Sequence, residues 1–251
     1  PFRAYFMYRN RIANTATKHP AGARLKDAML NYHDFQRSKK THPFHSHLAL
    51  WQSQRLIHSH QDVYRSPFYH EGLLFLFTEL YSDTDFSERD RDLERIFPKL
   101  IKLLPNAILE TVSLLVELNM LTQKLDHELA EKLFVDMACK EIDEASYSRA
   151  YQLCQNENKR RYQIELTKQL GLKLDKYARS QVILLSLKLS GKPARKAGLG
   201  ALHHFLSTGF NAFHSMRDID MLMNVIAERE LGYLKEIMSG NLKPFNFQLT
   251  A

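Results

Sequence analysis

A tryptophan is followed by an arginine, a histidine and an aspartate at spacings that would place all four on one face of a helix. Trp51, Arg55, His58 and Asp62 are spaced i, i+4, i+7 and i+11, which places them within about a 60° sector of a helix. Such a group can hold an anion through the guanidinium or move a proton through the imidazole, and Asp62 can orient His58 through a hydrogen bond. The alternative is a partly solvated stripe in which only Trp51 is deeply buried.

Two carboxylates fall in apolar surroundings. Glu79 lies in EGLLFLFTELY (residues 71–81), which is apolar on every side of a helical wheel and is therefore predicted to be a buried helix. Glu230 falls in the middle of the apolar stripe of the last predicted helix, which begins near Asp218. A buried acid must be paired, hydrogen-bonded or protonated, and Arg55 is its natural bidentate partner. The alternative for Glu79 is a solvated position at the helix end.

These groups define one candidate cluster for catalysis or binding. Its catalytic candidates are Arg55, His58 and Glu79. Its binding candidates are Trp51, Asp62, Tyr81, Asp85, Arg89, Asp90 and Glu230. Acids beside Arg and His have shifted pKa values in active sites. Structural ion networks have the same sequence signature, so both interpretations follow from these residues.

A second candidate binding site is basic. Lys192, Arg195 and Lys196 precede a helix predicted to start at about Leu199. Free N–H groups at such a helix start, together with the cations, can hold a phosphate or a carboxylate. The preceding helix is expected to stop at Gly191–Pro193, and the spacing of this segment is not that of a P-loop.

The sequence indicates no metal or cofactor site. No histidine has a glutamate three residues before it, as di-iron helices require, and HExxH is absent. Cys139 and Cys154 fit no metal or redox spacing and suit a reducing cytoplasm. Neither a GxSxG serine elbow nor a GxGxxG loop after a strand occurs.

The excess positive charge is confined to the first 40 residues. Nine Lys and Arg face two acids there, so this segment carries the whole formal excess of +7 and the remaining chain is neutral. Aromatic residues interleave with the cations between Phe2 and Arg11. Such a segment can bind nucleic acid or an anionic membrane surface, or it can pack on the domain with its charges solvated.

Helical periodicity and the small number of Gly and Pro residues predict an all-α fold: a single multi-helix, bundle-like domain with a basic N-terminal arm. A long helix over 106–137, apolar on nearly all sides in its first half, is typical of a central bundle helix. We expect an arm and first helix at 1–42, a helical domain at 43–240 and a loosely packed tail at 241–251. NENKRR (156–161) is predicted to be a solvated basic turn.

FLFTELY at 75–81, followed by DFSERD at 85–90, resembles the FFLEELY-motif proteins, a bacterial family. The resemblance covers the chain beyond about residue 48 through WQSQRL (51–56), IFPKLIKLLP (96–105), ELNMLTQKLD (117–126), IDEASYSRAY (142–151), GKPARKAGLGALHHFLSTGFNAF (191–213) and ERE (228–230). Phe77 and Thr78 stand where the name has Leu and Glu, so only one of its two acids is present, at Glu79. The resemblance implies no activity.

Three classes of function are compatible with these patterns. The first is a cytoplasmic binding module that holds a small anionic or amphipathic ligand, or a protein partner, in a helix-lined pocket. The second is an enzyme that uses Arg55, His58 and Glu79 for acid–base work. The third is nucleic-acid or membrane-surface binding through residues 1–40. No apolar run that could span a membrane is visible, no secretory signal is expected, and self-association is compatible with all three classes.

Overall fold

The computed structural model describes residues 2–38, 45–81 and 87–247, without the side chains of residues 2–7, 38, 78–81, 87–91 and 103. Within these ranges it contains twelve α-helices, one π-helix and no strand, which confirms the all-α prediction. The helices are α1 (Phe2–Ala13), α2 (Pro20–Ser38), α3 (His45–Ser59), α4 (Gln61–Tyr64), α5 (His70–Tyr81), α6 (Ser87–Leu103), α7 (Asn106–Ala130), the π-helix (Glu131–Asp136), α8 (Glu144–Leu153), α9 (Glu157–Ala178), α10 (Gln181–Lys196), α11 (Gly200–Ser215) and α12 (Ile219–Met238).

The chain forms two compact units, and each is assembled from three separated stretches. Unit 1 is drawn from Pro1–Lys39, Asp85–Met120 and Lys173–His214, and unit 2 from Lys40–Thr84, Leu121–Leu172 and Ser215–Ala251. The predicted division into 1–42, 43–240 and 241–251 cuts the chain into consecutive segments. The two compact units group separated stretches by their contacts, so they do not test that division. It stays a prediction.

The core of unit 1 includes residues from the basic N-terminal segment. Ile12 of α1 and Leu25 of α2 are fully buried, in the same cluster as Phe97 of α6. The cations of this segment are partly paired within the unit, since Arg9 binds both carboxylate oxygens of Asp34, at 2.8 and 3.0 Å. Burial of one face and pairing of charges on the other make α1 and α2 part of a packed unit.

Helix α10 does not stop at Gly191–Pro193, so that expectation is wrong. Pro193 removes only one backbone donor, and the helix continues for another turn to Lys196. It ends where Gly198 adopts a left-handed conformation with φ of 68°. The N–H of Leu199 then donates to the carbonyl of Ala194 at 2.8 Å and that of Gly198 to Arg195 at 3.0 Å. These two bonds are the Schellman arrangement that caps helix C-termini.

The core of unit 2 is aromatic and holds the end of the described chain. Trp51 of α3 stacks on Tyr147 of α8 with ring centroids 4.2 Å apart, and Phe245 and Phe247 meet its edge. Glu144 accepts backbone N–H groups of this segment, including that of Phe247 at 2.8 Å. The expectation of a loosely packed tail is therefore wrong for Phe245–Phe247.

We predict that Gly198→Ala destabilises the protein by about 1–2 kcal/mol, because an L-residue is strained at this left-handed position. A new Cβ would also lie 3.2 Å from an Nη atom of Arg95. The measurement is the free energy of unfolding in urea. Gly232→Ala is the matched control: nothing lies within 4 Å of its new Cβ, so helix propensity should stabilise α12 by about 0.5–1 kcal/mol. Equal effects at both positions would contradict the Schellman assignment.

Candidate functional site

Helix α3 presents a different face to the core from the one predicted. Its buried residues are Leu48, Trp51, Gln52, Arg55 and Leu56. At 100° per residue, the centre of this face lies between the directions of Arg55 and Gln52. His58 lies about 90° away from that centre and is exposed. Arg55 therefore faces inward as predicted, whereas His58 does not.

The buried carboxylate that Arg55 meets is Glu230 of α12. Arg55 Nη1 donates to Glu230 Oε1 at 2.6 Å, and His60 Nε2 donates to the same oxygen at 2.9 Å. His60 is fully buried and follows the last residue of α3. Its backbone, with φ of −119° and ψ of 25°, interrupts the helix before α4. Arg55 thus approaches Glu230 from within α3, and His60 approaches it from the interruption between α3 and α4.

The carboxyl group of Glu230 remains ionised over the whole physiological range. Burial raises its pKa, but the charge of Arg55 and the hydrogen bond from His60 outweigh burial and lower the pKa to about 2. Burial of a charge is tolerated only with such partners. The group acts as a fixed anion that holds two side chains in place.

Asp62 is not the partner of His58, so the predicted hydrogen bond between them is wrong. Asp62 instead accepts from both terminal nitrogens of Arg229, each at 2.6 Å, and its side chain is 60% exposed. The break at His60 is the physical reason, because it ends the continuous helix that the i, i+11 spacing assumed. His58 packs near Phe247, with ring centroids 5.2 Å apart.

A second buried cation, Arg160 of α9, was missed by the sequence analysis. Only 3% of the residue and 4% of its side chain are exposed. Its Nη2 donates to the carbonyl of Leu125 at 3.1 Å and its Nη1 to Gln163 at 3.3 Å. The nearest carboxylate is that of Asp126 at 4.0 Å. Arg160 Nε is buried and has no acceptor among the described residues.

The interpretation of NENKRR as a solvated turn is therefore wrong at two of its positions. Asn156 and Arg160 are both buried. A signal was present in the sequence, because Arg160, Gln163 and Leu170 are spaced i, i+3 and i+10 and all three are buried on one face of α9. The other charged residues of NENKRR made the whole segment look solvated, so this spacing was not recognised.

Both buried arginines line one cavity in unit 2, with a volume of about 80 Å³. Its polar wall consists of Gln52, Arg55, Tyr147, Tyr151, Arg160, Gln163, Thr167, Lys168, Glu230 and Tyr233. Its apolar wall consists of Leu56, Leu76, Phe77, Ile164, Met223, Ile226, Ala227, Leu234, Ile237 and Phe245. Burial raises the pKa of the Tyr147 and Tyr151 hydroxyls, so both remain neutral donors. The cavity thus combines fixed donors with an apolar half.

The lining carries three cations, Arg55, Arg160 and Lys168, and one carboxylate, Glu230, which is an excess of two positive charges. Counting Asp126, 4.0 Å from Arg160, leaves an excess of one. Arg55 is balanced by Glu230, and Arg160 has only Asp126 at the limit of ion-pair distance. Lys168, half-buried at the cavity wall, has no ion-pair partner among the described residues. A ligand that brings one negative charge would make this site neutral.

The other predicted site residues lie elsewhere or outside the description. Trp51 is a core residue stacked on Tyr147. The exposed cations of the second candidate site, Lys192, Arg195 and Lys196, occupy the last two turns of α10. The next helix, α11, begins at Gly200, close to the predicted start at Leu199, and the N–H of Leu202 in its first turn donates to Asp92 Oδ2 at 3.4 Å. The side chains of Glu79, Tyr81, Arg89 and Asp90, and the whole of Asp85, lie outside the described residues.

Two further properties concern only the part of the chain that the structure describes. No group of three or more His, Cys, Asp or Glu side chains there could hold a metal ion. None of its helices has both the length and the apolar character needed to cross a membrane.

Comparison with known proteins places the chain in a family. A family model described as Domain of unknown function (DUF8198) matches residues 31–244. The chain belongs to this family. The matched region contains every cavity residue except Phe245. No curated protein and no solved structure matches the chain, and the resemblance to the FFLEELY-motif proteins stays a prediction.

We predict that Glu230→Gln destabilises the protein at pH 7 by about 3–5 kcal/mol, because it leaves Arg55 buried without its counter-charge. The pH dependence has a definite sign. Since the folded pKa of Glu230 is about 2 and its ordinary value 4.5, its stabilisation is complete above pH 4.5 and is lost as the pH falls towards 2. The loss amounts to roughly 3 kcal/mol. Urea unfolding of wild type and variant across this pH range measures it.

Asp62→Asn is the matched control for this prediction. Hydrogen bonds from Arg229 lower the pKa of Asp62 to about 2 as well, but the pair is largely exposed to solvent. Its loss should therefore change the free energy of unfolding by less than about 1 kcal/mol. A Glu230→Gln variant that is no less stable than Asp62→Asn at pH 7 would show that the buried pair does not stabilise unit 2.

Proposed function

We propose that unit 2 is a binding module that holds a small organic anion in the cavity between α3, α9 and α12. The observation that carries this proposal is Arg160 Nε, a buried donor at the cavity wall without an acceptor among the described residues. A buried donor without a partner costs about 1–3 kcal/mol, and more when it belongs to a charged group. A carboxylate or phosphate oxygen at this position would supply the acceptor.

The walls define the rest of the ligand. Lys168 adds a second cation that can face the anionic group, and Leu234, Ile237 and Phe245 of the lining offer apolar contacts to an aliphatic part. Pockets for drug-sized ligands have volumes of about 300–1,000 Å³. A cavity of about 80 Å³ therefore favours a ligand of only a few carbon atoms. A short-chain carboxylate has this combination of charge, size and apolar surface.

The acid–base alternative has less support from the geometry. An efficient general base or acid has a pKa near the working pH, and Glu230, at about 2, is far below it. His58, one of the three predicted catalytic residues, is exposed and points away from the buried face. The paired Arg55 and Glu230 are better suited to hold a ligand in a fixed electrostatic environment than to move its protons.

A cytoplasmic location is part of this proposal. Cys139 and Cys154 are free thiols, as expected in a reducing compartment. Burial raises the pKa of Cys154 to about 11, and it also raises the pKa of Cys139. Neither sulfur is therefore the reactive thiolate of a redox or nucleophilic site.

We predict that butanoate binds and raises the melting temperature, whereas butylamine and butyramide, of similar size, do not. A ligand that binds only the folded state stabilises it by RT ln(1 + L/Kd), where L is the free ligand concentration, so the stabilisation grows with that concentration. Lys168→Gln should weaken butanoate binding about tenfold, because it removes one charged donor, and Arg160→Gln should weaken it further. Isothermal titration calorimetry gives the affinities, and native mass spectrometry of the purified protein detects a retained acid.

Lys176→Gln, at an exposed position on the same helix, is the control for lost charge. Circular dichroism melts show that the variants are folded before titration. The proposal is wrong if neither butanoate nor inorganic phosphate binds the folded wild-type protein. It is also wrong if Lys176→Gln weakens binding as much as Lys168→Gln, since the effect would then be nonspecific charge screening.

A further inference from the structure

Helix α10 in unit 1 carries an exposed apolar stripe that the proposed ligand site does not use. Val182, Leu185 and Leu189 are 75%, 58% and 70% exposed, more than any other large hydrophobic residue among the described ones. Their spacing of i, i+3 and i+7 puts them within about a 60° sector. Single exposed aliphatic residues are ordinary, but a contiguous stripe marks an interaction surface.

The opposite face of α10 fixes the direction of this stripe. Gly191 is buried there, and a Cβ at this position would lie 3.2 Å from the His203 ring. His203 Nε2 donates to the carbonyl of Leu187 at 2.9 Å. This close approach to α11 clamps α10 by its inner face, so the stripe is held outward as a fixed ridge of unit 1.

The charge beside the stripe is exclusively positive. Helix α10 contains the cations Lys188, Lys192, Arg195 and Lys196 and no acidic residue. All four are exposed, and none has an ion-pair partner among the described residues. On the helical wheel Lys188, Lys192 and Arg195 lie on one side of the stripe, about 20–80° beyond Leu185, and Lys196 lies in the sector of the stripe itself, about two turns after Leu189. Aliphatic residues flanked by Lys and Arg are typical of helices that lie in a membrane interface.

We propose that α10 docks unit 1 onto an anionic lipid surface, with Val182, Leu185 and Leu189 inserted among the acyl chains and the cations at the headgroups. A protein partner is disfavoured because the hot spots of protein interfaces are enriched in Trp, Tyr and Arg and poor in Leu and Val, whereas the stripe consists of Leu and Val and α10 has no aromatic residue. A second copy is disfavoured because a two-fold contact would bring the same four cations together. The aliphatic stripe equally offers nothing that reads nucleic-acid bases.

Co-sedimentation with lipid vesicles tests the proposal. Wild type should bind phosphatidylcholine vesicles that contain about one third phosphatidylserine, and bind pure phosphatidylcholine at least tenfold more weakly, because each basic residue contributes about a fivefold gain at an anionic surface. Leu185→Ser with Leu189→Ser should weaken binding at least tenfold. Lys192→Gln with Lys196→Gln should weaken it about 25-fold, and added salt should reduce wild-type binding.

The matched control is Leu50→Ser with Val135→Ser, at two positions of unit 2 that are each 55% exposed. This variant should bind like wild type. The proposal is overturned if wild type ignores phosphatidylserine vesicles, or if the Leu185/Leu189 variant binds them as tightly as wild type, which would assign binding to another segment such as the basic residues 1–40. Sedimentation equilibrium that shows a dimer lost in the Leu185/Leu189 variant would assign the stripe to a second copy instead.

Discussion

Glu230 is buried between Arg55 and His60, and the organisation of unit 2 depends on this contact. A carboxylate cannot leave water without donors on the charged form, because the desolvation penalty is several kcal/mol per ion. One donor comes from α3 and the other from His60, between α3 and α4, and the acceptor comes from α12, 175 residues away from Arg55. The contact therefore fixes the rotation of α3 and α12 and requires the interruption at His60.

The same constraint explains why the end of the described chain is ordered. Arg55 lies under the ring of Phe245, with 4.8 Å between its guanidinium carbon and the ring centroid. Glu144 holds that segment through backbone N–H groups, including those of Asn246 at 3.0 Å and Phe247 at 2.8 Å. Arg55 thus contacts both Glu230 and the ring of Phe245. Phe245, which covers Arg55, also lines the cavity.

The sequence predicts those parts of this arrangement that depend on local periodicity. The all-α fold and the inward direction of Arg55 and Glu230 both follow from helical spacing, which needs no knowledge of the partner helix. Their pairing does not follow, because any of several acids could have met Arg55. Glu230 is bound by His60 rather than by His58 because the helix is interrupted at His60. No residue type in this segment indicates that interruption. The burial of Arg160 was not predicted, because charged residues surround it in the sequence. Its spacing from Gln163 and Leu170 nevertheless places it on the buried face of α9.

Stability alone does not account for the polar groups around the cavity. Buried ion pairs replaced by apolar residues of similar volume often leave a protein equally or more stable. Arg160 is a stronger case than Arg55, because its nearest carboxylate is 4.0 Å away, whereas Arg55 Nη1 lies 2.6 Å from Glu230 Oε1. A fully satisfied network would rigidify the core, whereas a partly satisfied one destabilises it. An anion that accepts from Arg160, as proposed, would complete the network and would offset part of the cost of burying these groups.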